Sequence, residues 1–318
     1  MSKPRPESMP TLLMVGLGRM GANMARRLAG HGAVVHGHDP SEPARAALAE
    51  TATRYPITLH PTLAAGVAAL PSPRIVWLML PAGAVTEQTV DMLAGLLHRG
   101  DLIIDGGNAN YRDSQRLGEQ LAERGIGFVD CGVSGGVWGL ANGYSVMYGA
   151  DGGAAALVEP IMRRLAPTEH DGWLHCGPVG SGHFVKMVHN GIEYGMMQAI
   201  AEGFALMQAK REFDLPLAEI GELWRHGSVV RSWLLDLTAE ALRDPQALDS
   251  VGPVVADSGE GRWTIEESMR LGVPAPVIAM ALMSRFDSQG KADVGNKLLA
   301  LMRKGFGGHA VTAAKPES

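Results

Sequence analysis

One short stretch of the chain combines ionisable side chains with small and apolar packing residues. Residues 180–195 read Gly-Ser-Gly-His-Phe-Val-Lys-Met-Val-His-Asn-Gly-Ile-Glu-Tyr-Gly. On an α-helix, at about 100° per residue, one stripe collects four polar side chains: Lys186, His189, Asn190 and Glu193. Lys186 and Glu193 lie nearly in register, about 10 Å apart along the axis. This spacing suits a small polar substrate, with an amine working at one end and a carboxyl group at the other.

An amine and a carboxyl group arranged in this way are sufficient for an oxidative decarboxylation. A neutral Lys186 can take the hydroxyl proton of a secondary alcohol while hydride passes to a nicotinamide ring. If the alcohol is β to a carboxylate, the product is a β-keto acid. The protonated lysine then returns its proton to the ketone oxygen as carbon dioxide leaves. Glu193, still protonated, can protonate the carbon of the resulting enol. This chemistry needs no metal ion, and we expect none.

A glycine-rich turn near the start of the chain has the pattern of a dinucleotide-binding site. The apolar run 12–15 ends in Gly-Leu-Gly-Arg-Met-Gly at 16–21, a helical pattern follows, and a second apolar run at 34–38 ends in Asp39. The glycines permit a tight turn and let a pyrophosphate approach the helix N-terminus closely. Asp39 can accept hydrogen bonds from a ribose 2′-hydroxyl. We therefore expect NAD as the cofactor, with NADP used more weakly.

The same alternation of strands and helices continues through the first half of the chain. Apolar runs at 74–80, 101–105 and 127–133 alternate with helical patterns, which predicts a largely parallel sheet with right-handed crossovers. Ligands of such sheets bind beyond the carboxyl ends of the strands. Polar glycine clusters fall at two of these ends, at 105–108 and 134–136. We expect both clusters to face the ligand.

The pattern changes near residue 179, after which every periodic segment is helical. The fold class predicted is α/β, a Rossmann-type parallel sheet domain followed by an all-helical second domain. The predicted boundaries are a flexible tail at 1–10, a dinucleotide-binding domain at 11–178, and a helical substrate and oligomerisation domain with a C-terminal tail at 179–318. A length of 318 residues agrees with two domains.

Composition excludes several classes of function. The net charge of −5 gives no basic surface for nucleic acid, so no nucleic-acid partner is expected. No apolar run approaches the roughly 18 residues of a membrane span. Cys131 and Cys176 give neither a disulfide framework nor metal-ligand spacing, and residues 1–10 do not resemble a signal peptide. We expect a cytoplasmic protein without a membrane partner.

Four segments resemble the decarboxylating 6-phosphogluconate dehydrogenases: 16–23, 105–108, 132–136 and, most specifically, 182–194. The resemblance extends over most of the chain, from residue 12 to residue 309. It implies that Lys186 is the general base and later the acid, and that Glu193 protonates the product carbon. The activity implied is oxidation of 6-phosphogluconate to ribulose 5-phosphate and carbon dioxide, a pentose phosphate pathway reaction.

The resemblance also implies contacts with substrate and cofactor. The substrate contacts are Asn108, Ser134, Gly135, Gly136, His189, Asn190, Tyr194, Arg285, Arg303 and His309. The cofactor contacts are Gly16, Gly18, Arg19, Met20, Gly21, Asp39, Leu80 and Asn108. The family implies a homodimer or homotetramer in which a neighbouring subunit supplies the 303–309 tail.

The chain departs from the longer members of that family in three ways. It is similar to the short branch, which lacks a second helical repeat. Ser258 and Glu260 stand where longer members carry a Lys and a Thr that bind the sugar phosphate. Asp-Pro-Ser at 39–41 replaces an Asn-Arg-Thr segment that favours NADP. Two alternatives stay open: a β-hydroxyacid dehydrogenase acting on a small 3-hydroxy acid without decarboxylation, and a non-catalytic protein that binds nucleotide and sugar acid.

Overall fold

The chain folds into two compact units, residues 1–187 and residues 188–318. The computed structural model describes residues 10–51, 54–244, 246–307 and 310. The two units adjoin in sequence between Met187 and Val188, inside a single long helix. The predicted domain boundary between residues 178 and 179 stays a prediction.

The first unit contains an eight-stranded sheet. Its strands are β1 (Thr11–Val15), β2 (Val34–His38), β3 (Ile57–Leu59), β4 (Ile75–Leu78), β5 (Leu102–Asp105), β6 (Gly127–Ser134), β7 (Ser145–Ala150) and β8 (Trp173–Gly177). Their order across the sheet is β3-β2-β1-β4-β5-β6-β7-β8. β7 pairs antiparallel with β6, and the other neighbouring strands of this sheet pair in parallel. The α/β fold class and the largely parallel sheet are confirmed.

Helices connect the strands and cover both faces of the sheet. They are α1 (Arg19–Gly30), α2 (Glu42–Ala49), α3 (Leu63–Ala68), α4 (Ala84–Leu96), α5 (Tyr111–Ala122), α6 (Gly139–Asn142) and α7 (Ala154–Leu165). β1 shows that both faces of the sheet are apolar. Leu12 and Met14 enter one apolar core and Leu13 and Val15 the other, all at most 3% exposed. Continuous apolar runs of this kind are typical of parallel strands buried on both sides.

Among the described residues of the second unit, the regular secondary structure is helical. The long helix α8 (Ser181–Ala209) enters it, and α9 (Leu217–Arg225), α10 (Trp233–Arg243), α11 (Glu260–Leu271), α12 (Pro276–Ser288) and α13 (Asp293–Gly307) follow. At 29 residues α8 is about 43 Å long. Within the described residues, no helix is both long and apolar enough to span a bilayer.

Two strands and two short helices leave no clear signal in the sequence. β3 is only three residues long, and β7 (Ser-Val-Met-Tyr-Gly-Ala) lacks the continuous apolar run of the central strands. The helices α3 and α6, of six and four residues, are too short to show a helical period. These four elements do not interrupt the strands whose carboxyl ends carry the predicted ligand loops, because β1, β4, β5 and β6 are consecutive in the sheet.

Candidate active site

The glycine-rich loop between β1 and α1 is shaped by two close backbone approaches. A β-carbon at Gly16 would lie 2.4 Å from the carbonyl oxygen of Met79, and one at Gly21 would lie 1.9 Å from the carbonyl oxygen of Gly16. Gly16 also has a φ of +90°, which L side chains rarely adopt. A β-carbon at Gly18 would meet no atom within 4 Å, so the backbone there is open to close approach. The loop therefore fits a pyrophosphate laid on the first turn of α1, where Arg19 and Met20 have N–H groups without intrahelical acceptors.

Asp39 fixes this loop to the end of β2. One carboxylate oxygen accepts a hydrogen bond from the N–H of Leu17 at 2.7 Å, and the other accepts from the N–H of Ser41 at 2.8 Å. Each carboxylate oxygen can accept two hydrogen bonds, so capacity for ribose hydroxyls remains. Arg45, on α2, donates to the main-chain oxygens of Asp39 at 2.5 Å and Pro40 at 3.2 Å. This guanidinium lies closer to the strand end than the sequence suggests.

The carboxyl ends of β1, β4 and β5 converge on the same edge. A β-carbon at Gly16 would lie 3.0 Å from the Cδ2 atom of Leu80, and one at Gly107 would lie 2.7 Å from the carbonyl oxygen of Leu80. Strand order reverses at β1, which lies between β2 and β4, and this is where ligands bind in open α/β sheets. The loop after β5 carries Asn108, whose side chain is exposed. The structure thus brings together most of the predicted cofactor residues.

The end of β6 presents the second glycine cluster. Ser134 is the last strand residue, and Gly135 and Gly136 follow with φ angles of +141° and +52°. Only glycine adopts the first of these angles without strain. The chain turns sharply here into a short 3₁₀ helix at Gly136–Trp138. Ser134 therefore lies at the end of β6, directly before a tight turn.

Lys186 is buried on β6. Its side chain is 7% exposed, and a β-carbon at Gly132 would lie 2.3 Å from the Lys186 Cβ. Gly132 therefore allows the second turn of α8 to contact the strand directly. Below it, a β-carbon at Gly182 would lie 2.6 Å from the carbonyl oxygen of Asp130. The first atoms of the predicted base's side chain therefore lie against the backbone of β6.

Three buried polar side chains near Lys186 were not predicted from the sequence: those of Ser114, Asp130 and His183. Asp130 accepts hydrogen bonds from the N–H groups of Gly180 and His183, and the His183 Nδ1 lies 2.7 Å from the Ser114 Oγ. A carboxylate within an otherwise apolar strand, upstream of a Gly-Ser-Gly-His segment, is the only sequence signal they leave.

In the second unit, α8 carries the other polar residues of the stripe. Asn190 is 9% exposed, and the His189 Nδ1 lies 3.0 Å from the Asn190 Oδ1. The same His189 nitrogen is 3.9 Å from a Glu193 carboxylate oxygen, with about 40% of each side chain exposed. Glu193 is thus open to a ligand while remaining next to a histidine.

Tyr194 anchors the loop before α11. Its hydroxyl lies 3.1 Å from the Ser258 Oγ, which in turn donates to a Glu260 carboxylate oxygen at 2.6 Å. The Arg285 guanidinium lies 3.4 Å from the centroid of the Tyr194 ring and donates to the carbonyl oxygen of Ala256 at 2.7 Å. Two of the predicted substrate contacts, Tyr194 and Arg285, are thus in direct contact with each other. Ser258 contacts Tyr194, Glu260 contacts Ser258, and neither residue supplies a cation.

Arg303 lies on α13 with its side chain exposed, and no described contact joins it to the Tyr194 cluster. His309 lies outside the described residues. Among the residues that the structure does describe, no cluster of three or more His, Cys, Asp or Glu side chains could hold a metal ion.

The fold and the loop geometry define a class. A parallel sheet with a glycine-rich turn at its switch point, an acid at the end of β2 and a buried lysine at the sheet edge describe a dehydrogenase with a nicotinamide-dinucleotide domain.

Comparison with known proteins defines the family. The NAD binding domain of 6-phosphogluconate dehydrogenase matches residues 11–177, and the 6-phosphogluconate dehydrogenase C-terminal domain matches residues 182–312. The chain belongs to the 6-phosphogluconate dehydrogenase family. The NAD(+)-dependent, decarboxylating 6-phosphogluconate dehydrogenase of Haloferax volcanii is 38% identical over 94% of this chain and 97% of its own length.

Solved structures agree with this assignment. The 6-phosphogluconate dehydrogenase of Plasmodium falciparum, described with NADP+ and with 6-phosphogluconate, superimposes with a TM-score of 0.83. It is 27% identical and the match covers 97% of this chain and 67% of that one. A 3-hydroxyisobutyrate dehydrogenase of Mycobacterium tuberculosis, 23% identical with a TM-score of 0.69 over 90% of this chain and 94% of that one, shares the fold.

Proposed function

We propose that this chain is an NAD-dependent enzyme that oxidatively decarboxylates 6-phosphogluconate to ribulose 5-phosphate and carbon dioxide. The observation that carries the proposal is the continuity of α8. One helix holds the buried Lys186 on β6 and, seven residues later, the accessible Glu193. A relative matched over 97% of its own length, that of Haloferax volcanii, is named as an NAD(+)-dependent, decarboxylating 6-phosphogluconate dehydrogenase.

Lys186 acts first, as a base. Its neutral amine takes the proton of the substrate's 3-hydroxyl, and the C3 hydrogen departs with its electron pair. Bound NAD supplies the acceptor for that hydride. Because the Lys186 side chain is buried, its amine has little access to water, which favours direct proton transfer from the substrate.

The same lysine then acts as an acid. The 3-keto acid loses carbon dioxide, and the electron pair of the broken C–C bond becomes the double bond of an enol. Lys186 delivers its proton to the former ketone oxygen in this step. Glu193 donates a proton to the carbon that carried the carboxylate while the neutral Lys186 takes back the enol hydroxyl proton, which yields the ketone product. His189, 3.9 Å from the Glu193 carboxylate, is placed to reload that acid from solvent.

Substrate contacts come from both glycine clusters and from α8. In the first unit we assign Asn108, Ser134, Gly135 and Gly136; in the second unit we assign His189, Asn190, Tyr194, Arg285, Arg303 and His309. Ser258 and Glu260 provide no cation, so Arg285 and Arg303 carry the phosphate contact in this proposal. Arg285 retains donors beyond the one used on Ala256, since a guanidinium has five.

The cofactor lies along the edge described above. The backbone of Gly16, Gly18, Arg19, Met20 and Gly21 binds the pyrophosphate, and Asp39 accepts from the adenine ribose. Leu80 and Asn108 lie along the nicotinamide half. The chain has an NAD-binding domain, and the preference for NAD over NADP follows from Asp39.

The functional unit that we propose is a homodimer or homotetramer. Support comes from the second unit, where large apolar side chains are exposed along α13: Val294, Leu298, Leu299, Leu301 and Met302, each 54–71% exposed. Exposed apolar faces of this extent are typical of surfaces that pair with another chain. A second copy would cover them and would bring its 303–309 tail to a neighbouring site. We also propose a cytoplasmic location.

One assay tests the reaction. Purified protein is given NAD with 6-phosphogluconate, with gluconate and with 3-hydroxyisobutyrate, while NADH and carbon dioxide are both measured. We expect equal amounts of NADH and carbon dioxide with 6-phosphogluconate, and much slower turnover with the other acids. NADH without carbon dioxide would favour the non-decarboxylating hydroxyacid dehydrogenase. Absence of any NADH would favour the binding protein.

A further inference from the structure

A buried polar cluster below Lys186 has no place in the reaction proposed above. Asp130, on β6, is 0% exposed. Its two carboxylate oxygens accept hydrogen bonds from the N–H of Gly180 at 2.6 Å and from the N–H of His183 at 2.7 Å. Both donors lie at the N-terminus of α8, where N–H groups lack intrahelical acceptors. A strand residue therefore caps the helix that bears the base.

His183 adds a second attachment, to α5. Its ring is 1% exposed, and its Nδ1 lies 2.7 Å from the Oγ of Ser114, which is also 1% exposed. Its Nε2 is buried and makes no hydrogen bond with any residue that the structure describes. Burial raises the pKa of Asp105 and of Asp130, and His183 acts in the opposite direction on both. The ring therefore lies in the field of two buried carboxyl groups.

The cluster is costly in energy, which argues against a role in packing alone. Burying a polar side chain is unfavourable unless it is fully hydrogen-bonded, and the buried His183 Nε2 has no hydrogen-bond partner among the described residues. An apolar side chain in this place would fill the same space without that cost. What the polar groups add is a single geometry, because each bond has a fixed partner and direction.

The residues at the N-terminus of α8 that Asp130 and Ser114 hold lie within two helical turns of Lys186, and His183 lies within one. His183 and Lys186 are three residues apart, so they share a face of α8 about 4.5 Å apart along its axis. Asp130 and Gly132 are two residues apart on β6, so they share a face of that strand. Asp130 holds the first turn of α8 and Gly132 receives the second. A rotation of α8 by one residue, about 100°, would break both Asp130 bonds and move Lys186 off Gly132.

We propose that His183, held by Ser114, and Asp130 are positioning residues for Lys186 that fix the register of α8 on β6. The proposal rests on the function proposed above, because it concerns the base of that reaction. The Ser114–His183 bond sets the helix against α5, and the Asp130 bonds set it against β6. Displacement of a catalytic group by about 1 Å can lower a rate by about 10²-fold.

Three substitutions separate positioning from other roles. Asparagine at residue 183 can place an amide atom near the position of Nδ1 and keep the bond to Ser114, whereas phenylalanine keeps the ring and loses the bond. We expect His183→Phe and Ser114→Ala to lower kcat by about tenfold or more, and His183→Asn to retain kcat within about threefold. Ser181→Ala is the matched control. It removes a buried hydroxyl from the same turn that has no hydrogen-bond partner among the described residues, and it should leave kcat unchanged.

The measurements are made on folded protein well below its unfolding temperature. For each variant we would measure kcat and KM for 6-phosphogluconate, the Kd for NAD, and the isotope effect on kcat with substrate deuterated at C3. A displaced base slows the hydride step, so the isotope effect should rise in His183→Phe and Ser114→Ala while the Kd for NAD stays constant. A purely structural role would lower thermal stability and leave both kcat per folded protein and the isotope effect as they were.

Two outcomes would overturn the proposal. One is an unchanged kcat and isotope effect in both His183→Phe and Ser114→Ala. The other is a loss in His183→Asn as large as in His183→Phe, which would assign the effect to Nε2 and to proton transfer. If the parent protein itself fails to oxidise 6-phosphogluconate, the proposed function is wrong, and that result is read before any variant is compared.

Discussion

Glu193 and Lys186 differ in exposure although one helix carries both. The Lys186 side chain is 7% exposed, whereas Glu193 is 40% exposed and lies near a histidine ring. A base that removes a proton in a water-excluded place and an acid that can be recharged from solvent suit the two ends of the proposed reaction. The two residues therefore have separable effects on turnover.

We predict that Glu193→Gln retains NAD and substrate binding and loses most turnover, because the enol is no longer protonated efficiently. A general acid contributes about 10²–10⁴-fold to rate. Steady-state kcat with 6-phosphogluconate and equilibrium binding of both ligands test this. Glu202→Gln, an exposed glutamate further along the same helix, is the control and should behave as the parent. Turnover of Glu193→Gln within about threefold of the parent would remove Glu193 from the role.

Asp39 determines the cofactor preference that we propose. The 2′-phosphate of NADP would meet its carboxylate at contact distance, which costs on the order of a few kcal/mol at a partly exposed site. We predict that NAD is preferred by roughly tenfold or more in kcat/KM, since about 1.4 kcal/mol is a factor of ten. Asp39→Asn should lower the ratio of kcat/KM for NAD to kcat/KM for NADP. Side-by-side kinetics with NAD and NADP measure it, and equal efficiencies in the parent would contradict the placement of Asp39.

Arg45 provides the matched comparison for that experiment. Its guanidinium donates to the main-chain oxygens of Asp39 and Pro40, so it places a cation at the end of β2, where we expect the 2′-phosphate of NADP to bind. Residual use of NADP should depend on it. Arg45→Gln should therefore lower kcat/KM for NADP more than for NAD. A loss of equal size with both cofactors would assign Arg45 to loop stability alone.

At the scale of elements, a pair of histidines joins β2 to the end of β3. His36 on β2 and His60 just after β3 approach with 2.8 Å between the His36 Nδ1 and the His60 Nε2, and the His38 Nδ1 lies 3.1 Å from the His60 carbonyl oxygen. Burial lowers the pKa of His36, and His60 lowers it further; burial and then His38 lower the pKa of His60. β3 is a three-residue edge strand, and this contact adds to its pairing with β2.

These pKa shifts predict a loss of stability in acid. Each imidazole binds a proton more weakly in the folded chain than in the unfolded chain, where the pKa is about 6.5. As pH falls from about 6.5 through the lower folded pKa values, the unfolded state binds more protons and the free energy of unfolding falls. Denaturant titrations between about pH 8 and pH 5.5 should show it. The dependence should be weaker in His36→Asn/His60→Asn, and unchanged in the control His170→Asn, an exposed histidine of the same unit.

The elements themselves are predictable where the local pattern is strong. β1, β4 and β5 are continuous apolar runs, and the glycine pattern at 16–21 indicates the turn that follows β1. β7 could not be placed in this way, because its antiparallel pairing with β6 is decided by the long-range register and not by its own residues. Local sequence determines the centre of the sheet, while packing determines its edges.

The candidate site shows the same division between local and long-range information. The stripe on α8 is visible in the sequence because its members are three or four residues apart. Asp130 and Ser114 are 53 and 69 residues from His183, so no periodicity connects them. Arg45 lies on the helix after β2, yet its side chain reaches back to the strand end. Sequence patterns find groups on one element, and only the fold finds those that adjoin from separate elements.

At the scale of the whole molecule, the exposed face of α13 predicts a role for its arginine in a second subunit. If Arg303 serves a neighbouring subunit, Arg303→Ala should raise the KM for 6-phosphogluconate and leave the Kd for NAD nearly unchanged. Lys297→Ala, an exposed cation on another face of the same helix, is the control. Truncation before Arg303 should act in the same direction.

Mixing inactive chains gives the stricter test of shared sites. Arg303→Ala and Lys186→Ala chains, combined as hybrids, should recover part of the parent activity, because some sites would then hold an intact lysine and an intact tail. Subunit exchange is followed with differently tagged chains. Hybrids that form and show no rescue would mean that each site is built from one chain.

The three glycines at the base of α8 have a consequence for how the protein can change over generations. β-Carbons at Gly132, Gly149 and Gly182 would lie 2.3–2.6 Å from neighbouring atoms, most of which belong to backbone or to the first atoms of Lys186. Even alanine, the smallest possible replacement, would push the helix away from the strands. In a library of all single substitutions selected for growth through this enzyme, these three positions should tolerate no replacement. Neighbouring positions with far larger side chains should accept several substitutions. The positions that tolerate the fewest substitutions would then be glycines, which have no side chain to take part in the reaction.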